Sequence, residues 1–265
     1  MAVPMDPAAS VVRKRHRREI NNIFVPLLDL GPELSWNDLK TLGVQYEEIN
    51  LFTKQPFLFF SKYPGTIKVP ELDNVKGVYP PMSQMSQTEE APFLNTIELA
   101  WHMNRFFNHC IVPDKNNVPP GTQYACYGDF NFGSLSSSSM DYRWQVRSAW
   151  NMRERGLPHM VVLMYTGVTT GDQLLRSELT AIIDIMHGRL RTTSTRPHTV
   201  APVLMFSVVG LHHIRVIEAF YDGAAKKLVV RVSKRQSIDK PYDDFYLYLT
   251  HYWLGHASSR STTDV

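Results

Sequence analysis

Between Ala201 and Lys234 the chain alternates apolar runs with turn residues in a way that predicts three consecutive β-strands. Val203–Val209 is apolar except for one serine, as suits a central strand covered on both faces. Ile214–Phe220 carries Arg215 and Glu218, and Leu228–Val232 carries Arg231, which reads as strands wetted on one side. Gly210–His213 and Asp222–Lys227 supply the intervening turns. Earlier in the chain, His159–Tyr165 has the composition of a further buried strand. Tyr124–Phe132 and Asp141–Val146 are weaker strand candidates.

Three helices follow from 3.6-residue periodicity. Leu99, Met103, Phe106, Phe107 and Cys110 share a face of a helix opened by Pro92. Leu175, Leu179, Ile182, Ile183, Met186 and Leu190 do so after the loop Thr166–Asp172, with Asp184 pointing away. The last helix starts near Pro241, carries Phe245, Leu249, Tyr252 and Trp253, and stops at Gly255. Ser35 is placed to cap a short helix from Trp36. The order predicts an α/β fold with a central mixed β-sheet flanked by helices. Four regions result: a disordered basic arm (1–19), an extension and linker (20–91) with its Pro80-Pro81 and Met/Ser/Gln stretch, an α/β core (92–257) and a polar tail (258–265).

Composition narrows the function classes. A chain of 265 residues that is 43% hydrophobic can bury a substantial core. No apolar run approaches the ~20 residues of a membrane span, and no hydrophobic block follows the N-terminal charges as in a secretory signal. Two cysteines, Cys110 and Cys126, exclude a disulfide scaffold and fit a reducing interior. The expectation is an intracellular, soluble protein. Its net charge of +3 is local: of 28 basic residues, Arg13, Lys14, Arg15, Arg17 and Arg18 fall within six positions, and the other 23 face 25 acids.

That cluster is the sharpest functional signal. On an exposed arm it suits the acidic groove of a nuclear import receptor, and the same charges would contact phosphates. The plain alternative is a solvated tail. The expected compartment is the nucleus; the expected partners are an import receptor and nucleic acid or a regulatory protein, with no membrane.

No phosphate-binding loop, dinucleotide loop or nucleophile elbow is present. Gly167–Gly171 offers backbone N–H groups to an anion, or is simply a tight loop with Thr170 near an N-cap. Cys110 lies on an apolar helix face, a setting for a buried, inert thiol. His212-His213 lack a third ligand, and His102 and His109 are ordinary helix histidines. Thr263-Asp264-Val265 matches a C-terminal carboxylate-capture motif only as short peptides often do.

From Pro92 to Trp253 the element order resembles the restriction-endonuclease-like PD-(D/E)XK superfamily. The resemblance implies an Asp on one strand, then an acid and a Lys on the next, holding a divalent metal and a water. Asp141, or Asp129 as its rival, takes the first position. The following strand, Val161-Val162-Leu163-Met164-Tyr165, has neither acid nor lysine, which leaves Glu178 as a substitute ligand. The implied reading is a degenerate, binding-only scaffold with no catalytic residue, metal or cofactor, Asp129, Asp141 and Glu178 being vestigial. Active nuclease and protein-interaction scaffold are the alternatives. The arm, with Pro202–Ser207 and Arg215–Gly223, is also similar to filamentous-fungal proteins of the hypoxia-responsive morphology factor and biofilm architecture factor type. That similarity implies a non-enzymatic nuclear regulator of gene-cluster expression and of colony and biofilm form.

Overall fold

A computed structural model of the protein describes residues 6–69, 91–110, 122–124, 135, 144–152, 156–168, 171–210, 213–238 and 244–263. The helices are α1 (Pro7–Leu27), α2 (Trp36–Thr41), α3 (Ala91–His109), α4 (Arg176–Arg191) and α5 (Asp244–Trp253). The strands are β1 (Val44–Ile49), β2 (Phe60–Ser61), β3 (Thr122–Tyr124), β4 (Trp144–Met152), β5 (Met160–Thr166), β6 (Val203–Val209), β7 (His213–Asp222), β8 (Lys227–Ser233), β9 (Gln236–Ser237) and β10 (His256–Ala257).

Seven strands form one mixed sheet in the order β1-β8-β7-β6-β5-β4-β3, with β9 added beside β7. β5 and β6 are parallel, with α4 in the connection between them, while β4–β5, β6–β7 and β7–β8 are antiparallel. The alternation of side chains across the pleat divides the core in two. Met160, Val162, Met205, Ile217 and Val230 face a layer made with α1 and α4. Val161, Leu163, Phe206, Val216 and Val229 face a layer made with α3 and α5. Trp253 of α5 stacks on Phe107 of α3 at 4.9 Å there, and Cys110 is buried in the same layer, its thiol pushed up to about 12 by desolvation.

β6 is buried at every position, as its composition predicts. β7 departs from expectation: instead of wetting one face it is buried from Ile214 to Tyr221, Arg215 and Glu218 included. Both faces are covered, and each charge has an opposite partner. Glu218 accepts hydrogen bonds from the Leu58 and Phe59 amides and pairs with Arg231, which also reaches Glu47 at 3.1 Å. Burial nonetheless raises the Glu218 carboxyl above its usual range.

β4 is longer than Asp141–Val146 suggests. A bulge between Val146 and Ser148 breaks the alternation, and Arg147 turns its guanidinium over the Trp101 ring, 3.9 Å from its centre. The strand expected at Tyr124–Phe132 is described only as Thr122–Tyr124; the rest, like the linker 70–90, lies outside the described residues.

The N-terminal third differs most. Residues 20–91, read as an extension, contribute β1, which pairs in parallel with β8 from Val44↔Leu228 to Ile49↔Ser233. Residues 6–19 are not a disordered arm: Pro7–Leu27 is one helix. Asp6 accepts a hydrogen bond from the Ala8 amide at its N-cap, and Pro7 occupies the first helical position. Ala9, Val12, His16, Ile20, Ile23 and Leu27 line its buried face. The tail is also engaged, because Thr262 accepts the Thr199 and Val200 amides.

Candidate functional site

The basic cluster sits on α1, and its members do different things. Arg13 is 5% exposed. Its guanidinium donates to the carbonyls of His198 and Leu190 at 2.6 Å, Thr192 at 3.1 Å and Thr195. These are carbonyls at and just beyond the C-terminus of α4, so Arg13 caps that helix and places a cation at its negative end. The reverse contact exists at the other end of the pair. Arg176, in the first turn of α4, donates at 2.7 Å to the carbonyls of Leu28 and Leu30 beyond the C-terminus of α1. The two helices are therefore antiparallel and clasped by an arginine at each end. His16 adds a bond from Nδ1 to the Thr199 carbonyl at 3.0 Å and packs on Tyr221. Its ring also approaches Gly223 so closely that a Cβ there would stand 2.4 Å from Nε2.

Lys14, Arg15 and Arg18 are exposed on the same helix, and Arg17 is half-buried. Arg17 faces Arg191 of α4, and Arg13 faces Arg196 just past it; each repulsion contributes, after desolvation, to holding the Arg17 and Arg13 guanidiniums below their ordinary pKa. The ion pairs Glu178–Arg215, Arg231–Glu47, Arg231–Glu218 and Arg235–Asp172 take up none of these cations. The charge that was expected on a flexible segment is carried on a folded face spanning α1 and the end of α4. Such a face gathers anions.

The vestigial-site residues fare differently. Asp129 and Asp141 lie outside the described residues. Glu178 is fully buried at the third position of α4, where it accepts the Leu175 amide at 2.9 Å. Its two oxygens accept a forked pair of bonds from Arg215, Nη2 donating to Oε2 and Nε donating to Oε1 at 2.8 Å. Arg215 also donates to the Asp172 carbonyl at 3.1 Å. With both oxygens committed to Arg215, Glu178 does not fit a divalent cation. It is neither a helix-flank charge nor a metal ligand; it ties α4 to β7. No group of three His, Cys, Asp or Glu suited to a metal occurs among the described residues. Residues 169–170 and 211–212 are outside them, and the observed N-cap of α4 is Leu175 rather than Thr170.

A pocket of ≈170 Å³ opens at the N-terminal end of α4. Leu34, Leu39 and Leu174 are buried in its floor, and Trp36 and Tyr46 form its walls. The segment before α2 is pinned to the α4 entrance by Leu34 N–H to Leu174 O at 2.9 Å and Arg176 N–H to Pro32 O at 2.9 Å. α2 starts with a capping box in which Asp38 accepts from the Ser35 amide at 2.8 Å and Ser35 Oγ accepts from the Asp38 amide at 3.2 Å. The Ser35 bonds hold the Asp38 carboxyl below its usual range.

Burial, full or partial, holds several histidines below their ordinary pKa. Desolvation lowers His102 to about 4 and His159 to about 3, and also lowers His16, His187 and His198. Below pH ~6.5 the unfolded chain binds protons that the native state refuses, so stability falls as pH drops from ~6.5 towards 3–4. Glu218, with its raised pKa, acts in the opposite sense but is a single group. Neither ring nitrogen of His159 has a hydrogen-bond partner among the described residues, and the ring meets Phe60 edge-on at 5.5 Å. His159→Phe is expected to raise stability by about 1 kcal/mol at neutral pH and to flatten the acid loss. Urea unfolding at neutral and at mildly acid pH measures both effects; an unchanged pH slope would contradict the assignment.

Among the described residues no helix is long and apolar enough to cross a membrane. Compared with known proteins, the chain matches no family model, no curated protein and no solved structure.

Proposed function

We propose that the protein is a non-enzymatic regulatory protein that docks on nucleic acid through the face formed by α1 and the end of α4. The observation that carries this reading is the folded cluster itself: Lys14, Arg15 and Arg18 are exposed on α1, Arg17 faces Arg191 of α4, and no ion pair among the described residues takes up these cations. Contacts of this kind go to phosphates, so binding is salt-dependent and carries little base preference. The commitment of Glu178 to Arg215 favours the binding-only version of a restriction-endonuclease-like scaffold over a nuclease. The order α3, β3, β4, β5, α4, β6, with a parallel β5–β6 connection, is compatible with that scaffold. Nuclear residence belongs to the same proposal, with Lys14, Arg15 and Arg18 available to a receptor while Arg13 is held by the fold.

The test is fluorescence anisotropy on labelled duplex and single-stranded oligonucleotides across a salt series. Wild type should bind in the micromolar range or weaker at physiological salt. The Lys14→Ala/Arg15→Ala/Arg18→Ala variant, with Arg13 kept, should lose about three units from the slope of log K against log salt. Equal slopes for the two proteins would remove the proposal. A fluorescent fusion of the same variant tests import separately, since an unchanged nuclear signal would assign delivery to other residues.

A further inference from the structure

We infer that the pocket between α2, β1 and the loop before α4 binds a methylated ammonium group, carried by a small quaternary amine or by a methylated lysine side chain. This inference is independent of the nucleic-acid reading. The pocket lies at the opposite end of α4 from the Arg13 cap, and sixteen helical residues separate them by about 24 Å.

Three features select that chemistry. The rings of Trp36 and Tyr46 stand at 77° with their centres 5.0 Å apart, making a corner of aromatic surface. Trp36 is 69% exposed although it is large and apolar, and it projects from the capped first turn of α2, so it is held in place without being covered. A soft cation against such rings gains from their quadrupoles, and Trp gives the strongest case.

The second feature is charge. Glu48 stands exposed at the mouth with no hydrogen bond or ion pair among the described residues. Asp172 lines the same pocket and shares its carboxylate with Arg235 at 2.8 Å. Behind the wall, the charge of Arg215 is balanced by Glu178. Glu48 therefore gives the mouth of the pocket a carboxylate outside any ion pair, with Lys234 in the neighbouring cleft rather than in the pocket lining, and this favours a cation over phosphate.

The third feature is the floor. Leu34, Leu39 and Leu174 offer no side-chain acceptor, and the Leu174 carbonyl already receives the Leu34 amide. Side-chain acceptors come from Glu48, Asp172, Gln173 and Tyr46, so a primary ammonium can place N–H groups on those, but any N–H turned towards the leucines would lose water without replacement. Methyl groups on the nitrogen remove that penalty and present apolar surface to the leucines. The volume of ≈170 Å³ accommodates such a compact head but not an extended ring system.

The experiment is calorimetric titration of the full chain with choline, with its neutral isostere 3,3-dimethylbutan-1-ol, and with N-acetyl-trimethyllysine methylamide beside its unmethylated form. At least one methylated cation should bind, and the neutral and unmethylated compounds should be about ten-fold weaker or more. Trp36→Ala should weaken binding by about ten-fold and Glu48→Gln by several-fold, whereas Trp101→Ala should leave it unchanged. Both substituted positions are exposed, so the fold is kept; preference for choline or for the lysine derivative identifies the source. No binding of either cation at about 10 mM, equal binding of the isostere, or an indifferent Trp36→Ala would each overturn the inference.

Discussion

Replacing Arg13 with alanine is expected to destabilise the protein by about 3–5 kcal/mol, against less than about 0.5 kcal/mol for the neighbouring Lys14→Ala. The difference follows from where the two side chains end. Lys14 reaches water. Arg13 donates to the carbonyls of Leu190 and His198 and shares those of Thr192 and Thr195 with Thr195 Oγ1 and the His198 amide, so its removal strips a donor from all four at once and leaves the first two without the bond it makes. Arg13→Lys should fall between, because an ammonium keeps the charge at the helix end but lacks the planar fork that reaches several carbonyls at once. Urea midpoints of the three variants measure the series. Hydrogen exchange of the α1 amides reports whether the helix loosens first, as loss of its anchor requires. If Arg13→Ala matched Lys14→Ala, the capping role would be gone.

Removing one partner of the Glu178–Arg215 pair is the second large effect, again about 3–5 kcal/mol. Neither group has water to turn to: side-chain exposure is 1% for Arg215 and 0% for Glu178. Glu178→Gln keeps the shape and removes the charge, which strands the guanidinium between β7 and α4. Removing both charges is different. In Glu178→Met/Arg215→Met the desolvation penalty disappears with the attraction, so the double variant is expected to be more stable than either single one. A double-mutant cycle by chemical denaturation should give a coupling above about 2 kcal/mol. Additive losses would mean that the two side chains act separately.

The central strands β5 to β8 and the helices α3, α4 and α5 were legible because their apolar positions form continuous runs or repeat at 2 or 3.6 residues over long stretches. Val203–Val209 and Met160–Thr166 coincide with their apolar runs almost to the residue. Charge misled the reading twice. Arg215 and Glu218 signal a wet face only when nothing opposes them, and their partners Glu178 and Arg231 come from other elements, which no local pattern reveals. In α1 the run from Arg13 to Arg18 hid a regular stripe. Ala9, Val12, His16, Ile20, Ile23 and Leu27 follow helical spacing, and Asp6-Pro7 is a start signal. That stripe was available and outweighed by composition. The pocket had no local signature, since Trp36 and Tyr46 meet Asp172 and Leu174 only after the chain has crossed the sheet.

The parallel pairing of β1 with β8 sets the timing of assembly on the ribosome. Val44 meets Leu228, 184 positions later. At ordinary synthesis speeds roughly 10–40 s pass between the two emerging. For that interval the first fifth of the nascent chain lacks its neighbouring strand, and for most of it also lacks the helix its arginine closes. Completion of the protein is then a late, long-range docking event, and a chain shortened before Lys227 leaves its opening segment for chaperones to hold.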